Sequence, residues 1–159
     1  MLTLAIAIVG ALFLAVLTIM TVFMLGMRAK SPFVLRAVRR INRAIFNPRQ
    51  MRSAGTPGAY ASVIRHRGRT SGRDYETPVG AVPSANDFVI ALPYGTDPDW
   101  LKNVLASGSA VIVHEGRTFR VDEPEVVSMD AAAGSFSDKD QRSHRLFRVN
   151  QCLRVVVAM

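Results

Sequence analysis

The sequence predicts an α+β fold: a mainly β domain with helices, preceded by one transmembrane helix. Three observations support this prediction. The chain of 159 residues begins with an uncharged apolar stretch, Leu2 to Met27. Apolar residues then recur at helical spacing with arginines between them. Beyond Gly55 the pattern changes to short extended runs separated by turn residues, which is typical of antiparallel β structure.

The apolar stretch has the length and composition of a transmembrane helix. It contains no Asp, Glu, Lys, Arg or His. As a helix it would extend about 39 Å, which exceeds the roughly 30 Å hydrocarbon core of a bilayer. A cleaved signal peptide would need a basic region before a shorter apolar run and a small-residue cleavage site after it, and the sequence has none of these. We therefore predict a membrane anchor over residues 1–28.

The distribution of charge predicts the orientation of this anchor. Residues 28–73 carry 12 Lys/Arg and no Asp/Glu, whereas the N-terminal side of the span offers only the α-amino group. The basic residues nearest the span are Arg28, Lys30, Arg36, Arg39, Arg40 and Arg43. Because basic residues concentrate on the cytoplasmic side of a span, we expect a single-pass protein of the cell membrane with its C-terminal domain in the cytoplasm.

The basic segment that follows the span has the pattern of an amphipathic helix. Its apolar positions recur at helical spacing between the arginines: Val34, Ala37, Val38, Ile41, Ala44 and Ile45. Such a helix is expected to lie on the anionic headgroups of the bilayer. Nucleic acid is excluded as a partner because no recognition motif or aromatic stacking pattern accompanies the arginines. The layout is an anchor (1–28), a basic juxtamembrane helix and linker (29–54) and a folded domain (55–159).

Six short strands are predicted in the folded domain, which indicates a small barrel. They lie near Ala59–His66, Thr77–Pro83, Phe88–Pro93, Ala110–Glu115, Arg117–Glu123 and Cys152–Ala158. A turn at residues 84–87 separates two of them. The pair Glu115-Gly116 separates two others, as a tight hairpin requires.

Two helices are predicted to interrupt the strands. The first covers about Pro98–Ser107, with Thr96 or Asp97 as its cap and Gly108 after its end. Its apolar face pairs Trp100 with Val104 and Leu101 with Leu105, while Trp100 and Asn103 project from adjacent turns of one side. The second helix begins after Ser137, with Asp140 completing a capping box, and continues through Arg148.

The segment from His66 to Arg73 carries the most chemical information. It places two glycines, two hydroxyls and three arginines between two predicted strands. Glycine lets backbone N–H groups converge, and arginine supplies forked donors that suit phosphate oxygens, so the segment is a candidate anion site. A solvated hairpin turn would have the same composition, and spacing alone does not separate the two interpretations.

Metal and nucleophilic catalysis find no support in the sequence. The chain has one cysteine, Cys152, and three dispersed histidines, which gives no metal-ligand spacing. Neither Ser71 nor the histidines His66, His114 and His144 form a recognisable triad pattern. Each histidine is interpreted as a surface or strand residue.

Three motifs in order resemble the deazaflavin-dependent nitroreductase family, whose members are small split β-barrel proteins. They are GRTSGRDYETPVG, the strand-to-helix run VIALPYGTDPDWLKNVLASG, and the hairpin that follows. The similarity extends over roughly residues 45–159, from Phe46-Asn47-Pro48 to the closing strand at Leu153–Val157. It implies a split β-barrel of about six antiparallel strands and hydride transfer from the reduced deazaflavin coenzyme, F(420).

The resemblance also implies a cofactor site. Arg69, Thr70, Ser71, Gly72 and Arg73 would meet the phosphate and polyglutamate tail. Tyr75, Thr77 and Pro78 would line the strand beneath the coenzyme, Pro93, Tyr94 and Gly95 would approach its ring, and Trp100 and Asn103 would close over it. Family members often have lysine where this chain has Thr70. Tyr94 is either a proton donor or a packing residue, and packing is favoured because an unperturbed tyrosine is a weak acid.

Three functions from different classes remain open. The first is a membrane-anchored reductase whose acceptor is a quinone such as menaquinone, a nitro compound or an unsaturated lipid. The second is a flavin mononucleotide (FMN) protein on the same barrel. The third is a non-catalytic accessory subunit of a larger membrane complex, for which Thr70 would mark a weakened cofactor site.

Overall fold

The N-terminal helix is present and ends against the folded domain. In the computed structural model, which describes residues 1–158, helix α1 spans Leu2–Arg28 and is long and apolar enough to cross a membrane. Its last turns pack on the domain: the rings of Phe23 and Phe147 lie 6.4 Å apart, and Met27 is buried. Arg28 Nη1 donates to the carbonyl of Leu146 at 2.8 Å. The helix is therefore fastened to the domain at one end only.

The predicted basic helix is also present, within the predicted range. Helix α2 (Pro32–Ile41) continues through a π-helical turn (Asn42–Phe46) into α3 (Asn47–Gln50). Leu35, which the predicted apolar set does not include, is the buried residue of α2. Ile41 and Ile45 remain exposed. Gly26 lets α2 fold back on α1, because a Cβ at that position would collide with Val34.

Seven strands form one antiparallel sheet, one more than the sequence predicts. They are β1 Ser62–Arg67, β2 Asp74–Val79, β3 Ala81–Ser84, β4 Asp87–Ala91, β5 Ser109–His114, β6 Arg117–Ser128 and β7 Gln151–Val157. The additional strand arises because the predicted strand Thr77–Pro83 is broken at Gly80 into β2 and β3. The spatial order is β2-β1-β5-β6-β7-β4-β3.

The strand order requires the sheet to curl. Strands β2 and β3 occupy opposite edges of the sheet, yet a single residue, Gly80, joins them. Two consecutive Cα–Cα steps span at most about 7.6 Å, so the two edges must lie close together. The result is a half-barrel whose edge strands meet at Gly80 without pairing with each other, in agreement with the predicted α+β split-barrel class.

Local turn chemistry sets the register of the hairpins. Glu115 and Gly116 both have positive φ, 50° and 72°, as a two-residue hairpin with a type I′ turn requires. Strand β6 is longer than predicted because a bulge between Asp122 and Glu125 lets it continue its pairing with β7.

Helix α4 (Asp99–Ser107) fills the end of the half-barrel. Leu101 and Val104 are fully buried and pack in the main core with strand residues such as Ile64 and Leu153. Two sequence predictions for this helix are wrong. Leu105 is 38% exposed and does not join the apolar face. The residue before α4 is Pro98, without a side-chain cap, because Asp97 instead accepts a hydrogen bond from Lys102 at 3.0 Å.

A 3₁₀ segment covers the outer side of β4 and β7, where Ala132 and the following Phe136 pack with Val89 and Cys152, and helix α5 comes after it. The 3₁₀ segment spans Asp130–Ser135 and α5 spans Asp138–Leu146. The predicted capping residues are confirmed, because the Ser137 hydroxyl accepts a hydrogen bond from the backbone N–H of Asp140 at 3.2 Å. The helix ends at Leu146 and not at Arg148, which has a φ of 49°.

The two leucines of α4 provide a test of this packing. We expect Leu101→Ala to lower the free energy of unfolding by about 2–5 kcal/mol, because it leaves a cavity in a fully buried site. Leu105→Ala is the matched control and should change it by less than about 1 kcal/mol. Thermal or denaturant unfolding of the full chain in detergent measures both. Equal losses would show that α4 buries a different face.

Candidate functional site

The loop between β1 and β2 is folded back on itself. The backbone N–H of Gly68 donates a hydrogen bond to the carbonyl of Arg73 at 2.7 Å, and the N–H of Gly72 donates to the carbonyl of Gly68 at 2.8 Å. Gly68 is required there, because a Cβ would lie 2.7 Å from the ring of Tyr75. The N–H groups of Gly68, Arg69, Gly72 and Arg73 are all paired within the protein. Four of the N–H groups of the loop are therefore occupied, and an anion there would depend largely on the guanidinium groups for donors.

Arg69 joins this loop to the first turns of α4. Its backbone N–H and its Nη1 both donate to Asn103 Oδ1, at 3.1 Å and 2.9 Å. Its Nη2 donates to Asp99 Oδ1 at 3.0 Å. The Asp99 side chain is 75% exposed, and ion pairs of such exposure contribute only about 0–1 kcal/mol. The guanidinium group is therefore positioned by Asn103 and only weakly engaged by Asp99.

A buried histidine fixes the orientation of Asn103. His66 is 7% exposed on β1, and its Nδ1 lies 3.2 Å from the amide nitrogen of Asn103. Because that amide nitrogen is a donor only, Nδ1 must accept and Nε2 carries the proton, which it directs at Thr77 Oγ1, 3.2 Å away. Burial lowers the pKa of His66 below its ordinary value of 6.5, so the neutral imidazole is favoured. The Asn103 oxygen is thereby directed at Arg69.

The predicted residues of β2 join this network. Tyr75 stacks on His66 with ring centroids 5.8 Å apart, and its hydroxyl lies 3.1 Å from Ser71 Oγ. Thr77, two residues further on the same strand, contacts His66 as described above. Pro78 pairs with Val63 of β1 in the sheet and is half-buried. The structure thus brings Arg69, Ser71, Tyr75, Thr77 and Asn103 into one cluster around His66, in which Tyr75 and Ser71 are joined to the others by the stacking of Tyr75 on His66 and not by a hydrogen bond.

Other predicted site residues lie outside this cluster. Thr70, Gly72 and Arg73 are exposed in the loop. Trp100 is half-buried and packs against the main core. Asn103, which the sequence predicts on the same side of α4 as Trp100, contacts Arg69 of the loop.

Pro93, Tyr94 and Gly95 lie beside the basic helix. The Tyr94 oxygen accepts a hydrogen bond from the side-chain amide of Asn42 at 2.6 Å, at the start of the π-helical turn. The Pro93 carbonyl accepts from Lys30 Nζ at 3.1 Å. Gly95 has a φ of 71°, and a Cβ built there would meet nothing within 4 Å, so its backbone is open to an approaching group.

Asp97 connects this second group to α4. Its carboxylate contacts Lys102 at 3.0 Å and Arg39 of α2 at 3.5 Å. The hydrogen bond from Lys102 and the charges of Lys102 and Arg39 lower the pKa of Asp97. The segment before α4 is therefore held between the basic helix and the rest of the domain.

Sequence reasoning missed several of these residues. His66 was interpreted as an ordinary strand residue, although its position two residues after Ile64 places it on the buried face of β1. No pattern in the sequence indicated a site role for Asp99, Asn42 or Lys30. Asp99 was interpreted as a favourable residue at a helix start, and Lys30 as one of the basic residues next to the span. Their roles depend on contacts between segments that are distant along the chain.

A second histidine pair was also unforeseen. Ser62 Oγ and His114 Nδ1 lie 2.8 Å apart, joining β1 to β5. Ser62 is 1% exposed, so its hydroxyl cannot reach a substrate. His114 is half-buried, so the pair is a part-buried contact between two strands, and the burial of the Ser62 hydroxyl makes it unsuited to nucleophilic catalysis.

The residues present suit an anionic ligand at the loop. In the part of the chain that the structure describes, neither Arg67 nor Arg73 forms an ion pair with a carboxylate. Arg67 Nε donates to the Gly72 carbonyl at 2.9 Å, which directs that guanidinium along the loop. Together with Arg69, these side chains offer three cations around one short loop. A ligand with a phosphate or carboxylate tail fits this donor set.

Comparison with known proteins found solved structures of similar architecture at low sequence identity. An F(420)H2-dependent reductase, FDR-A, is 14% identical, with 60% of this chain and 93% of that chain covered and a TM-score of 0.45. A protein of the pyridoxinephosphate oxidase family from Clostridium acetobutylicum is 8% identical, with 69% and 80% covered and a TM-score of 0.46. An FAD-binding protein from Mesorhizobium loti is 9% identical, with 73% and 90% covered and a TM-score of 0.46. No protein-family profile and no curated protein matches the chain.

The buried histidine predicts a pH dependence of stability. The folded state favours neutral His66. Its contribution to the free energy of unfolding is therefore fully present above about pH 6.5, and it is lost as the pH falls from there toward the lower pKa that His66 has in the folded state. We expect the wild-type protein to lose more stability between about pH 7.5 and pH 5 than His66→Gln does. Thermal unfolding at a series of pH values measures the difference.

A control separates this effect from the other shifted histidine. Burial also lowers the pKa of His144, partly offset by the charge of Asp140, so His144 contributes with the same sign. His144→Gln should remove only the part of the pH-dependent stability loss that comes from His144. Parallel pH profiles for the wild type and His66→Gln would contradict the neutral assignment.

Proposed function

We propose that this protein is a membrane-anchored oxidoreductase that binds the reduced deazaflavin coenzyme and transfers a hydride to an electron-poor acceptor. Acceptors of this class include quinones such as menaquinone, nitro compounds and unsaturated lipids. The motif resemblance described above motivates the proposal. FMN is the alternative cofactor, and the absorbance spectrum of any bound chromophore distinguishes it from a deazaflavin.

One observation supports the proposal above the others: Arg69 connects the cationic loop to α4. The ring and the tail of an anionic coenzyme must both be held if the ring is to be oriented. The bond from Arg69 to Asn103 joins the residues proposed for the tail to those proposed for the ring. Because Asp99 is exposed and weakly bound, a ligand carboxylate or phosphate can replace it on Arg69 without leaving a buried charge unpaired.

The protein's own residues would bind and orient, while the coenzyme supplies the hydride when bound. Arg67, Arg69 and Arg73 would hold the anionic tail. The open backbone at Gly95 permits close approach of a flat ring. Tyr94 accepts its hydrogen bond from Asn42, which leaves its own O–H free to donate to the coenzyme or the acceptor.

We further propose that α1 crosses the bilayer and that the exposed side of the 32–50 helix lies on anionic headgroups. The exposed apolar residues Phe33, Ile41 and Ile45 and the exposed arginines Arg36 and Arg40 share this helix. Such a mixture suits the boundary between headgroups and acyl chains. An anchored domain would have direct access to acceptors dissolved in the membrane, or to a larger membrane complex.

The coenzyme site can be tested at Arg69. Arg69→Ala removes a charge-assisted contact and should raise the dissociation constant of the reduced coenzyme about ten-fold or more, corresponding to roughly 1.5–3 kcal/mol. Coenzyme fluorescence during titration of the purified full chain measures this. Asp99→Asn is the matched control, because it removes the competing carboxylate while keeping Arg69, and it should tighten binding or leave it unchanged.

Position 70 provides a second test at the same loop. Thr70→Lys adds the charge that family members often have without disturbing the core, so we expect tighter coenzyme binding. That gain should shrink as added salt screens it. If neither Arg69→Ala nor Thr70→Lys changes affinity at low salt, the loop is a solvated turn and the accessory-subunit function is favoured.

The proposed topology has its own test. A reporter fused to the C-terminus should give a cytoplasmic signal, and moving the arginines of residues 36–43 to the N-terminus should weaken that orientation. Reporter activity and protease protection in spheroplasts measure it. A C-terminus on the outer side of the membrane would contradict the proposal.

A further inference from the structure

A cleft lies where the anchor helix, the basic helix and the sheet meet. Its volume is about 380 Å³, and it is lined by Lys30, Leu35, Leu92, Tyr94, Gly95, Asn150 and Gln151. This volume is within the range of small-ligand sites, which is about 300–1,000 Å³. Lys30 follows the last residue of α1 by only two positions. The cleft is therefore the cavity of this domain that lies next to the end of the anchor.

Lys30 is held in this cleft by its side chain. Its φ of 52° is the usual left-handed conformation of the residue after a helix C-cap, since the N–H groups of Lys30 and Ser31 donate to the carbonyls of Met27 and Gly26 at 3.2 Å and 2.9 Å. Its ammonium group turns toward the domain and donates to the carbonyls of Pro93 at 3.1 Å and Phe147 at 3.4 Å. An ammonium group has three donors, so one remains for a ligand.

The charge of Lys30 has no protein counterion in residues 1–158. None of the ion pairs formed there includes Lys30, and the cleft lining contains no carboxylate. Lys30 is half-buried, and desolvation lowers its pKa. A partly desolvated cation without a counterion favours an anionic ligand.

The remaining lining indicates what that anion is attached to. Leu35 and Leu92 are buried and form an apolar wall beside the cation. Asn150 and Gln151 carry side-chain amides that can donate to oxygen atoms. An anionic group with an apolar stem matches this arrangement better than a small inorganic anion does.

We infer that this cleft binds the phosphate and glycerol of one anionic membrane phospholipid, with Lys30 as the phosphate contact. The inference rests on the proposed membrane anchoring, because a spanning α1 would place Lys30 at the cytoplasmic surface, where lipid phosphates lie. The bound lipid would then fill the space between α1 and the segment at Pro93–Gly95. Because Tyr94 and Gly95 line the same cleft, the lipid would compete with any coenzyme ring that approaches these two residues.

The experiment uses the full chain in a neutral detergent. The thermal unfolding midpoint is followed as short-chain phosphatidylglycerol, phosphatidylcholine of the same chain length, or inorganic phosphate is added. We expect phosphatidylglycerol to raise the midpoint by several degrees through binding to the folded state. The two other additives should raise it far less.

Three variants locate the effect. Lys30→Gln should raise the dissociation constant of phosphatidylglycerol about ten-fold, because it removes a charge-assisted bond. Lys30→Arg should restore most of the binding. Arg120→Gln is the matched control: it removes the same charge from an exposed position of β6, outside the cleft and away from the basic helix, and it should change the constant by less than about two-fold.

Several results would overturn the inference. Equal weakening by Lys30→Gln and Arg120→Gln would show general surface attraction. An equal response to phosphatidylcholine would indicate a neutral amphiphile, and an equal response to inorganic phosphate would indicate a free-anion site. Extraction of membranes at alkaline pH tests the anchoring separately: an anchored protein without a phosphatidylglycerol response contradicts only this inference, whereas an extractable protein contradicts the proposed anchoring itself.

Discussion

The connection through Gly80 is the constraint on which the rest of the domain depends. Strands β2 and β3 pair with different neighbours at opposite edges of the sheet, and the chain allows only one residue between them. The sheet must therefore curl until its edges meet. Curling creates an interior that the side chains of α4 fill, with Leu101 and Val104 fully buried. The position of α4 is thus a consequence of closure.

The placement of α4 in turn creates the candidate site. Once Leu101 and Val104 are buried, Asn103 and Asp99 face the loop that follows β1. His66 reaches Asn103 because it is on the inner face of β1, and it is neutral because it is buried. The polar cluster is therefore supported by the core on one side and exposed at Arg69 and Asp99 on the other. The buried His66 holds Asn103, and Asn103 holds Arg69. The guanidinium group of Arg69 is therefore fixed in position and can still be reached by a ligand.

The junction between α1 and the domain is held by several side-chain contacts. Arg28 and Lys30 donate to carbonyls of the domain, Phe23 packs on Phe147, and Gly26 allows α2 to return along the last turn of α1. The basic helix is fastened by Asn42 to Tyr94 and by Arg39 to Asp97. These contacts connect the segment before α4 with the residues next to the apolar helix. The orientation of the candidate site relative to α1 therefore depends on several short contacts and not on a free linker.

The sequence by itself determined the features that depend on local physics. The apolar α1, the basic helix, the hairpin at Glu115-Gly116, the end of α4 at Gly108 and the cap at Ser137 follow from composition, periodicity and turn preferences within a few residues. Only the tertiary structure decided the features that depend on distant residues. The division of one predicted strand at Gly80, the exposure of Leu105, the burial of His66 against Asn103 and the contacts of Lys30 all result from closure of the sheet and docking of helices. Such contacts join residues that lie tens of positions apart in the chain, so no local pattern records them.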